Sequence, residues 1–242
     1  MLLNRINVLN KSWIVLVLFS SIGTLHAQSY DDDLKEISNK IESSDFLHLI
    51  ADVTVYSSKG GRSIYNLSTS IKYSKQDGMI TQMGKINILK NNNYEVHIND
   101  VDKTVFVHKT HHYKPEDFSQ KSIKELKKIL EGEMSASGEV NVKKEFLSDV
   151  KGIRTYRLTN IPGFKEMVVV LDMNNKNIRQ VSYQYSKTGD QNGRYCVLDY
   201  ETFNYNPKFD LAEFKLRTYC AITGDNTYRL SSRFNNYKLL QE

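Results

Sequence analysis

Residues 49–55 read LIADVTV and residues 65–73 read YNLSTSIKY, and apolar and polar side chains alternate in both stretches. Successive side chains of a β-strand point to opposite faces of a sheet. Alternate residues from Leu49 onward therefore share one face of a first strand, and Leu67 and Ile71 share one face of a second. A short sequence rich in Ser and Gly separates the two stretches, as is typical of a turn. The pattern predicts a β-hairpin.

The same alternation recurs along most of the chain. It is found, between turn-forming residues, at 79–89, 94–98, 104–109, 140–147, 153–159, 167–172, 178–185 and 195–205. Short connections join antiparallel neighbours, because parallel strands need crossovers of a dozen or more residues. The sequence therefore predicts a mostly antiparallel meander of about ten strands.

Two segments have helical periodicity instead. In residues 31–43, apolar residues recur at spacings of three and four, and the acidic residues at the start suit the helix dipole. A second helix is predicted from residue 119 or 122 to about residue 132, with lysines away from its apolar stripe. Both helices are amphipathic, which indicates that each packs on the sheet. Two amphipathic helices with a β-meander make the predicted fold class α+β.

Two helices are too few to cover a sheet of this width. About ten strands spaced by roughly 4.8 Å span about 48 Å, whereas a helix is about 10 Å across. We therefore expect a strongly curved sheet, an unclosed barrel with the helices on its concave face, which leaves an apolar hollow able to hold a lipid chain. The alternative is a tightly packed sandwich or closed barrel without a cavity. The predicted lining of the hollow is Leu49, Val53, Val55, Leu67, Ile71, Ile123, Leu126 and Leu130.

The N-terminus has the three parts of a secretory signal peptide. Arg5 and Lys11 precede an apolar run at 13–19, and Ala27 offers a small residue for cleavage. The run is shorter than the roughly 20 apolar residues of a membrane-spanning helix, which is the competing interpretation. We predict a signal peptide at 1–27, export to the periplasm, and a mature chain over 28–242.

Charge and composition favour an ordinary soluble domain after cleavage. The formal net charge of +5 falls to +3 when the two basic residues of the signal are removed, too small a surplus to indicate nucleic-acid binding. The 215 residues that remain of 242 can form one domain, and no linker or internal repeat divides them. We predict a single β-rich domain, acting as a monomer.

The order of these elements resembles that of the periplasmic carriers that sort outer-membrane lipoproteins. The likeness is carried by IND at 98–100 with the strand that follows it, and by YRLT at 156–159 with Pro162, VVVLD at 168–172, NNKN at 174–177, IRQV at 178–181, TGD at 188–190, YETFNY at 200–205, Phe209-Asp210 and Phe214. The resemblance implies a lipid or acylated protein as cargo, peripheral contact with the membrane or with envelope proteins, and no enzymatic activity. The chain departs from the family in residues 64–73, which contain no Arg or Pro, and at its C-terminal end.

Cys196 and Cys220 are the two cysteines of the chain. If the segment between them folds back as a hairpin about Lys208, they lie opposite each other, within the Cα distance that a disulfide needs. Export to an oxidising compartment favours a disulfide, and two buried thiols are the alternative.

One histidine cluster, His108, His111 and His112, is the candidate metal site, with Glu116 or Asp117 as a further ligand. Its spacing matches no established metal site, so we interpret these histidines as exposed. His48 and His97 lie within strands and are interpreted as structural. No nucleophile elbow, phosphate-binding loop or Cys-x-x-Cys pair occurs, so the sequence predicts no catalytic site, no metal and no cofactor.

Overall fold

The computed structural model describes residues 25–109, 142–186, 193–224 and 227–241. It contains one α-helix, α1 (Leu25–Glu42), and three short 3₁₀ helices at Leu211–Phe214, Leu216–Thr218 and Ser232–Phe234 within these ranges. The strands are β1 (Phe46–Tyr56), β2 (Ser63–Ser74), β3 (Gly78–Met83), β4 (Ile86–Lys90), β5 (Tyr94–Asn99), β6 (Thr104–Lys109), β7 (Lys143–Val150), β8 (Ile153–Thr159), β9 (Phe164–Asp172), β10 (Asn177–Tyr185), β11 (Tyr195–Tyr205), β12 (Cys220–Ile222), β13 (Tyr228–Leu230) and β14 (Lys238–Gln241).

Twelve of these strands form one hydrogen-bonded sheet in the order β14-β6-β5-β4-β3-β2-β1-β11-β10-β9-β8-β7. Strands β2 to β6 and β7 to β11 are meanders of antiparallel neighbours, and β14 pairs with β6 in parallel. The order has two ends, so the sheet formed by the described residues is not closed into a barrel. The predicted fold class, mostly antiparallel β with few helices, is confirmed.

The contacts within the chain group it into two compact units. Of the described residues, unit 1 holds 25–43, 52–66, 142–186 and 193–201, and unit 2 holds 44–51, 67–109, 202–224 and 227–241. Three strands, β1, β2 and β11, contribute residues to both units. The single domain predicted for residues 28–242 stays a prediction.

In unit 1, α1 covers one face of the sheet. Its apolar stripe of Tyr30, Leu34 and Ile37 is buried, and the ring of Tyr30 meets the ring of Tyr156 of β8 edge to face, with 4.9 Å between their centroids. The helix predicted at 31–43 is therefore confirmed, although it begins at Leu25. Tyr30 extends the predicted stripe by one turn, because it lies four residues before Leu34.

Two acidic residues of α1, Asp31 and Asp33, form ion pairs with strands of unit 1, and neither lies in the first turn of the helix. Asp33, buried, accepts hydrogen bonds from Nη1 of Arg154 at 2.6 Å and from the hydroxyl of Tyr156 at 2.5 Å. Asp31 accepts from Nζ of Lys144 at 2.6 Å. The interaction with the helix dipole that we predicted for them is replaced by direct contacts with β7 and β8.

Unit 2 has a different cover, made by the described residues of 209–239, among which there is no α-helix. Phe214, Tyr219, Cys220 and Phe234 are buried in one cluster with strands β4 to β6. The strand residues in this cluster are Leu89, Val96, Ile98, Val105 and Val107. One face of the β4–β6 sheet is therefore closed by the chain's own C-terminal segment, which we call the C-terminal cover.

The turn between β2 and β3 requires glycine. Gly78 has a φ of +118°, and a Cβ at this position would collide with the carbonyl oxygen of Lys90. The predicted turn at 76–78 is present, and the hydroxyl of Ser74 closes it by accepting from the backbone N–H of Asp77 at 3.2 Å.

The predicted disulfide is not formed. Cys196 and Cys220 are both free, buried thiols, the first on β11 within unit 1 and the second within the C-terminal cover. The hairpin about Lys208 does not exist, because β11 has β10 and β1 as its neighbours and β12 pairs with β13 instead. Burial raises the pKa of each thiol to about 11.

The second predicted helix and the residues His111, His112, Glu116, Asp117, Ile123, Leu126 and Leu130 lie outside the described residues. In the part of the chain that the structure describes, no helix is both long enough and apolar enough to cross a membrane.

Candidate functional site

The sheet of unit 2 has a face opposite the C-terminal cover, and we call it the second face. Side chains alternate along each strand, so the neighbours of Leu89, Val96 and Val107 point away from the cover. The strand pairing aligns these side chains in rows across β2 to β6. The second face consists of Leu67, Thr69, Ile71, Tyr73, Met79, Thr81, Met83, Ile86, Ile88, Lys90, Glu95, His97, Asn99, Thr104, Phe106 and His108.

The middle row of the second face is apolar at its β2 end and aromatic at its β6 end. Ile71 pairs with Thr81, Thr81 with Ile88, Ile88 with His97 and His97 with Phe106. The row continues to Leu240 of β14, which is 39% exposed. Of these side chains Thr81 is buried, and the other four of β2 to β6 are half-buried.

One edge of the second face carries a polar cluster. Glu95 accepts a hydrogen bond from the Nε2 of His97 at 2.7 Å, and the Nζ of Lys90 lies 3.3 Å from its other carboxylate oxygen. These donors, with the hydrogen bond of His97 as the largest contribution, lower the pKa of Glu95 to about 2. The side chain of His97 is 41% exposed and that of Lys90 is 31% exposed, so solvent reaches the cluster.

Aromatic contacts hold the same edge in place. The ring of Phe106 meets His97 edge to face at 6.0 Å and stacks parallel to His108 at 6.5 Å. His108 also pairs with Glu95 across the β5–β6 ladder. The second face thus changes from uncharged side chains on β2 and β3 to charged and aromatic side chains at one edge of β4 to β6.

Alternation along β1 places Leu49, the first predicted lining residue, on the same side of the sheet as the second face. The imidazole of His48 is 3.1 Å from the hydroxyl of Ser70, so these two side chains lie on the same side of the sheet, opposite the second face. Because side chains alternate, Leu49 lies on the opposite side from His48, which is the side of Thr69 and Ile71.

The five predicted lining residues that the structure describes are divided between the units. Leu49 is buried in unit 2, while Leu67 and Ile71 are half-buried on the second face. Val53 and Val55 are buried in unit 1. The hollow that they were predicted to line stays a prediction.

His48 lies on the side of the C-terminal cover, against the ring of Phe209, with 6.0 Å between the centroids. Lys72 bonds Glu213 at 2.5 Å beside it, and its ammonium group lies 5.8 Å from the same ring. Burial and the charge of Lys72 lower the pKa of His48. Like His97, it is hydrogen-bonded within the sheet, as its structural interpretation requires.

Within the described ranges, no group of three His, Cys, Asp or Glu side chains could hold a metal ion. His108 is the one member of the predicted histidine cluster that lies in these ranges. It belongs to β6, where its ring stacks on Phe106.

The polar cluster of Lys90, Glu95 and His97 was not predicted from the sequence. Two signals could have found it. Glu95 and His97 are two residues apart in an alternating strand, which places them on one face. Lys90 and Glu95 flank the turn at 91–94, which brings them opposite each other in a hairpin.

Comparison with known proteins gives matches in structure but not in sequence. No family model and no curated protein sequence matches the chain. Among solved structures, it is similar to an uncharacterized conserved protein from Thermus thermophilus, with 7% identity and a TM-score of 0.48 over 88% of this chain and 99% of that one.

Two further matches carry names that bear on the sequence resemblance. One is an outer-membrane lipoprotein-sorting domain from Vibrio parahaemolyticus, with 11% identity and a TM-score of 0.33 over 77% of this chain and 96% of that one. The other is a LolA superfamily protein from Nitrosomonas europaea, with 9% identity and a TM-score of 0.32 over 80% and 99%. Both names match the family that the sequence resembles.

Proposed function

We propose that the protein is an exported carrier that holds an acyl chain, free or attached to a protein, against the second face of unit 2. The two faces of strands β4 to β6 differ in how far the chain itself covers them, and this difference supports the proposal. Leu89, Val96 and Val107 are packed by the C-terminal cover, whereas Ile88 and Phe106 on the opposite face are half-buried.

The chemistry of the second face suits a flexible hydrocarbon. Ile71, Ile88 and Met79 are aliphatic or thioether side chains without polar groups, and methionine adapts to irregular shapes. Each methylene group removed from water contributes about 0.8 kcal/mol, so ten methylenes on this surface suffice for strong binding. A polar ligand would leave these side chains without favourable contacts.

The location in the cell is part of the same proposal. Residues 1–27 act as a signal peptide, the mature chain works in the periplasm as a monomer, and its cargo is a lipid or an acylated protein. Peripheral contact with the membrane or with envelope proteins is where such a carrier loads and unloads.

The second candidate is a non-enzymatic structural or interaction protein of the envelope whose sheet is fully packed. The burial of Thr69, Thr81 and Met83 on the second face favours this alternative. Buried side chains at these positions leave less surface for a ligand on β2 and β3 than on β4 to β6.

Native mass spectrometry of the protein purified from a periplasmic extract separates the two functions. A carrier is expected to bring a lipid or an acylated protein with it and to take up a fluorescent fatty acid after delipidation. A bare mass together with no uptake would contradict the carrier function and leave the structural one.

A matched pair of variants locates the ligand. Ile88→Asn places an amide on the second face and is expected to weaken fatty-acid binding by about tenfold, through loss of roughly 1.4 kcal/mol of apolar contact. Val101→Asn makes a comparable change in the β5–β6 turn, where Val101 is 58% exposed, and should leave binding unchanged. Equal binding by the two variants would place the ligand elsewhere.

A further inference from the structure

The net positive charge of the described residues is concentrated in unit 2. Unit 2 contains twelve Lys and Arg and seven Asp and Glu within the described ranges, whereas unit 1 contains thirteen and twelve. The arginines of unit 2 in these ranges are Arg217, Arg229 and Arg233, and all three belong to the C-terminal cover. The surplus is therefore a property of one unit, and its arginines lie in one segment.

Hydrogen bonding within the cover brings the three arginines together. The hydroxyl of Ser231 donates to the carbonyl of Thr218 at 3.0 Å, so Ser231 lies beside the residue that follows Arg217. Arg229 precedes Ser231 by two residues, and Arg233 follows it by two. Four residues of extended chain span at most about 14 Å, which limits the distance between the Cα atoms of Arg229 and Arg233. We call these three arginine side chains the arginine patch.

The arginine patch is open to solvent. All three of its residues are exposed. Arg229 pairs with the exposed Ala221 across the β12–β13 ribbon, while Tyr228 beside it is buried. The guanidinium group of Arg233 lies 5.4 Å from the centroid of the Phe234 ring, a contact that holds this side chain against the cover. An anion in solution can therefore reach the patch.

No acidic side chain of the described residues neutralises the arginine patch. A guanidinium group has five N–H donors, and none of the three forms a hydrogen bond or an ion pair with a described side chain. The acids of the cover that the structure describes have other partners. Asp210 accepts from the backbone N–H of Ala212 at 2.9 Å, and Glu213 bonds Lys72 of β2 at 2.5 Å. The patch thus has donors for an anion from outside the chain.

We propose that the arginine patch docks the protein on the surface of a membrane that contains anionic phospholipids. The inference rests on the proposed function, since a carrier of acyl chains has to reach the membrane that supplies or receives them. A guanidinium group offers two parallel N–H donors, which match two oxygens of a phosphate. Phosphates lie side by side at a membrane surface, so each of the three guanidinium groups finds one.

An acidic protein is the competing partner, and the surroundings of the patch disfavour it. Protein interfaces place an apolar core inside a polar rim. Leu230, which lies between Arg229 and Ser231, packs on the hydrophobic cluster of unit 2 and is not offered to a partner. A layer of phospholipid headgroups requires no apolar core, because its surface potential attracts each basic residue separately.

Co-sedimentation of the purified protein with lipid vesicles tests the inference. Vesicles of phosphatidylcholine are compared with vesicles that also contain about 30% phosphatidylglycerol. We expect the protein to pellet with the anionic vesicles only, and to be released by about 0.5 M NaCl, because salt screens charges at a surface. Failure to pellet with the anionic vesicles, or equal binding to both kinds, would overturn the inference.

Uptake of a fluorescent fatty acid by the same preparation keeps this test separate from that of the proposed function. Uptake without vesicle binding would rule out the docking surface and leave the carrier function standing. Vesicle binding without uptake would contradict the carrier function and leave membrane docking as a separate property of the C-terminal cover.

Variants of the patch locate the contact. Arg217→Gln, Arg229→Gln and Arg233→Gln together should weaken partitioning onto anionic vesicles about a hundredfold, at about fivefold for each arginine near the lipid surface. The pair Arg217→Gln and Arg229→Gln keeps the contact of Arg233 with Phe234 and should weaken partitioning about 25-fold. Fatty-acid uptake should not change in either variant. Partitioning as strong as that of the wild type would show that these arginines do not contact lipid.

Lys35→Gln, Lys85→Gln and Lys165→Gln together are the matched control. These three lysines are exposed and lie outside the C-terminal cover, and their replacement removes the same amount of charge. Partitioning of this variant should stay within about twofold of the wild type, because charges far from the lipid surface are screened. If the control loses as much affinity as the arginine variant, net charge alone determines binding and the arginine patch is not the docking surface.

Discussion

The two units cover their sheets by different means. In unit 1 an amphipathic helix lies on the sheet through Tyr30, Leu34 and Ile37, and a buried carboxylate joins it to β8. In unit 2 the C-terminal cover consists of short 3₁₀ turns and a two-stranded ribbon, and aromatic side chains provide most of its buried volume.

This difference follows from where each cover places its backbone hydrogen bonds. A helix pairs its own N–H and C=O groups, so α1 needs its neighbours only for side-chain contacts. An irregular segment must find other partners for those groups. In the C-terminal cover, the hydroxyls of Tyr219 and Ser231 donate to the carbonyls of Glu213 and Thr218 at 2.8 and 3.0 Å, and the amide of Asn91 donates to the carbonyl of Phe214 at 3.2 Å.

Phe214→Ala is expected to have the largest effect on stability. Phe214 is fully buried at the centre of the C-terminal cover, and truncation of a buried Phe destabilises a protein by about 3–5 kcal/mol. Leu211→Ala, in the same 3₁₀ helix but 41% exposed, should change the free energy of unfolding by less than about 1 kcal/mol. Urea unfolding measures both, and equal losses would show that the aromatic core does not hold the cover.

Asp33→Asn tests the polar attachment of α1 and is expected to destabilise by about 2–3 kcal/mol, less than Phe214→Ala. The substitution leaves Arg154 beside a neutral amide, and breaking an ion pair with a buried partner is costly. Glu36→Gln on the same helix removes an exposed pair with Lys176 and should change stability by less than about 0.5 kcal/mol. A loss for Asp33→Asn as small as that of the control would show that apolar packing alone holds α1.

Of the two covers, α1 in unit 1 and the C-terminal cover in unit 2, only α1 could be predicted from the sequence. The stripe of Leu34 and Ile37 has a period that single-sequence analysis detects, as does the alternation that places Leu67 and Ile71 on one face. The C-terminal cover has no such period, because each of its helices is a single turn and Phe214 and Phe234 reach the core separately. The partner of Asp33 was also beyond prediction, since Arg154 is 121 residues away in the chain.

The predicted disulfide fails for a related reason. The predicted disulfide required a hairpin about Lys208, in which the chain after the turn pairs with β11. Instead the backbone N–H of Asn206 bonds the carbonyl of Phe46 at 2.8 Å, and the chain then leaves the sheet for the C-terminal cover. Local patterns specify the strands, but they do not specify where an irregular segment goes.

The labelling rate of each thiol measures how well its own unit is packed, because Cys196 lies in unit 1 and Cys220 in unit 2. With pKa values of about 11, both are expected to react with iodoacetamide at pH 8 about a hundredfold more slowly than an ordinary cysteine. Asp33→Asn should speed labelling of Cys196 more than of Cys220, and Phe214→Ala should do the reverse. Mass spectrometry of labelled peptides distinguishes them, and absence of labelling in denaturant without a reductant would show a disulfide instead.

The smallest effect that we predict is the response of each unit to acid. The pKa of Glu95 in unit 2 falls from its usual value near 4.5 to about 2, so its contribution to stability is complete above pH 4.5 and is lost as the pH falls toward 2. Because solvent screens part of the interaction, we expect a contribution of about 1 kcal/mol. The N–H groups of Arg154 and Gly152 lower the pKa of the exposed Asp149 in unit 1 as well, but its greater exposure to solvent should make its contribution to stability smaller than that of Glu95.

Urea unfolding at pH 5 and pH 3 measures this difference. Stability should fall less between the two pH values in Glu95→Gln than in the wild type, since the variant has no carboxylate to protonate. Asp149→Asn should reduce the fall by a smaller amount. If Glu95→Gln loses as much stability on acidification as the wild type does, the polar cluster of Lys90, Glu95 and His97 does not contribute to folding.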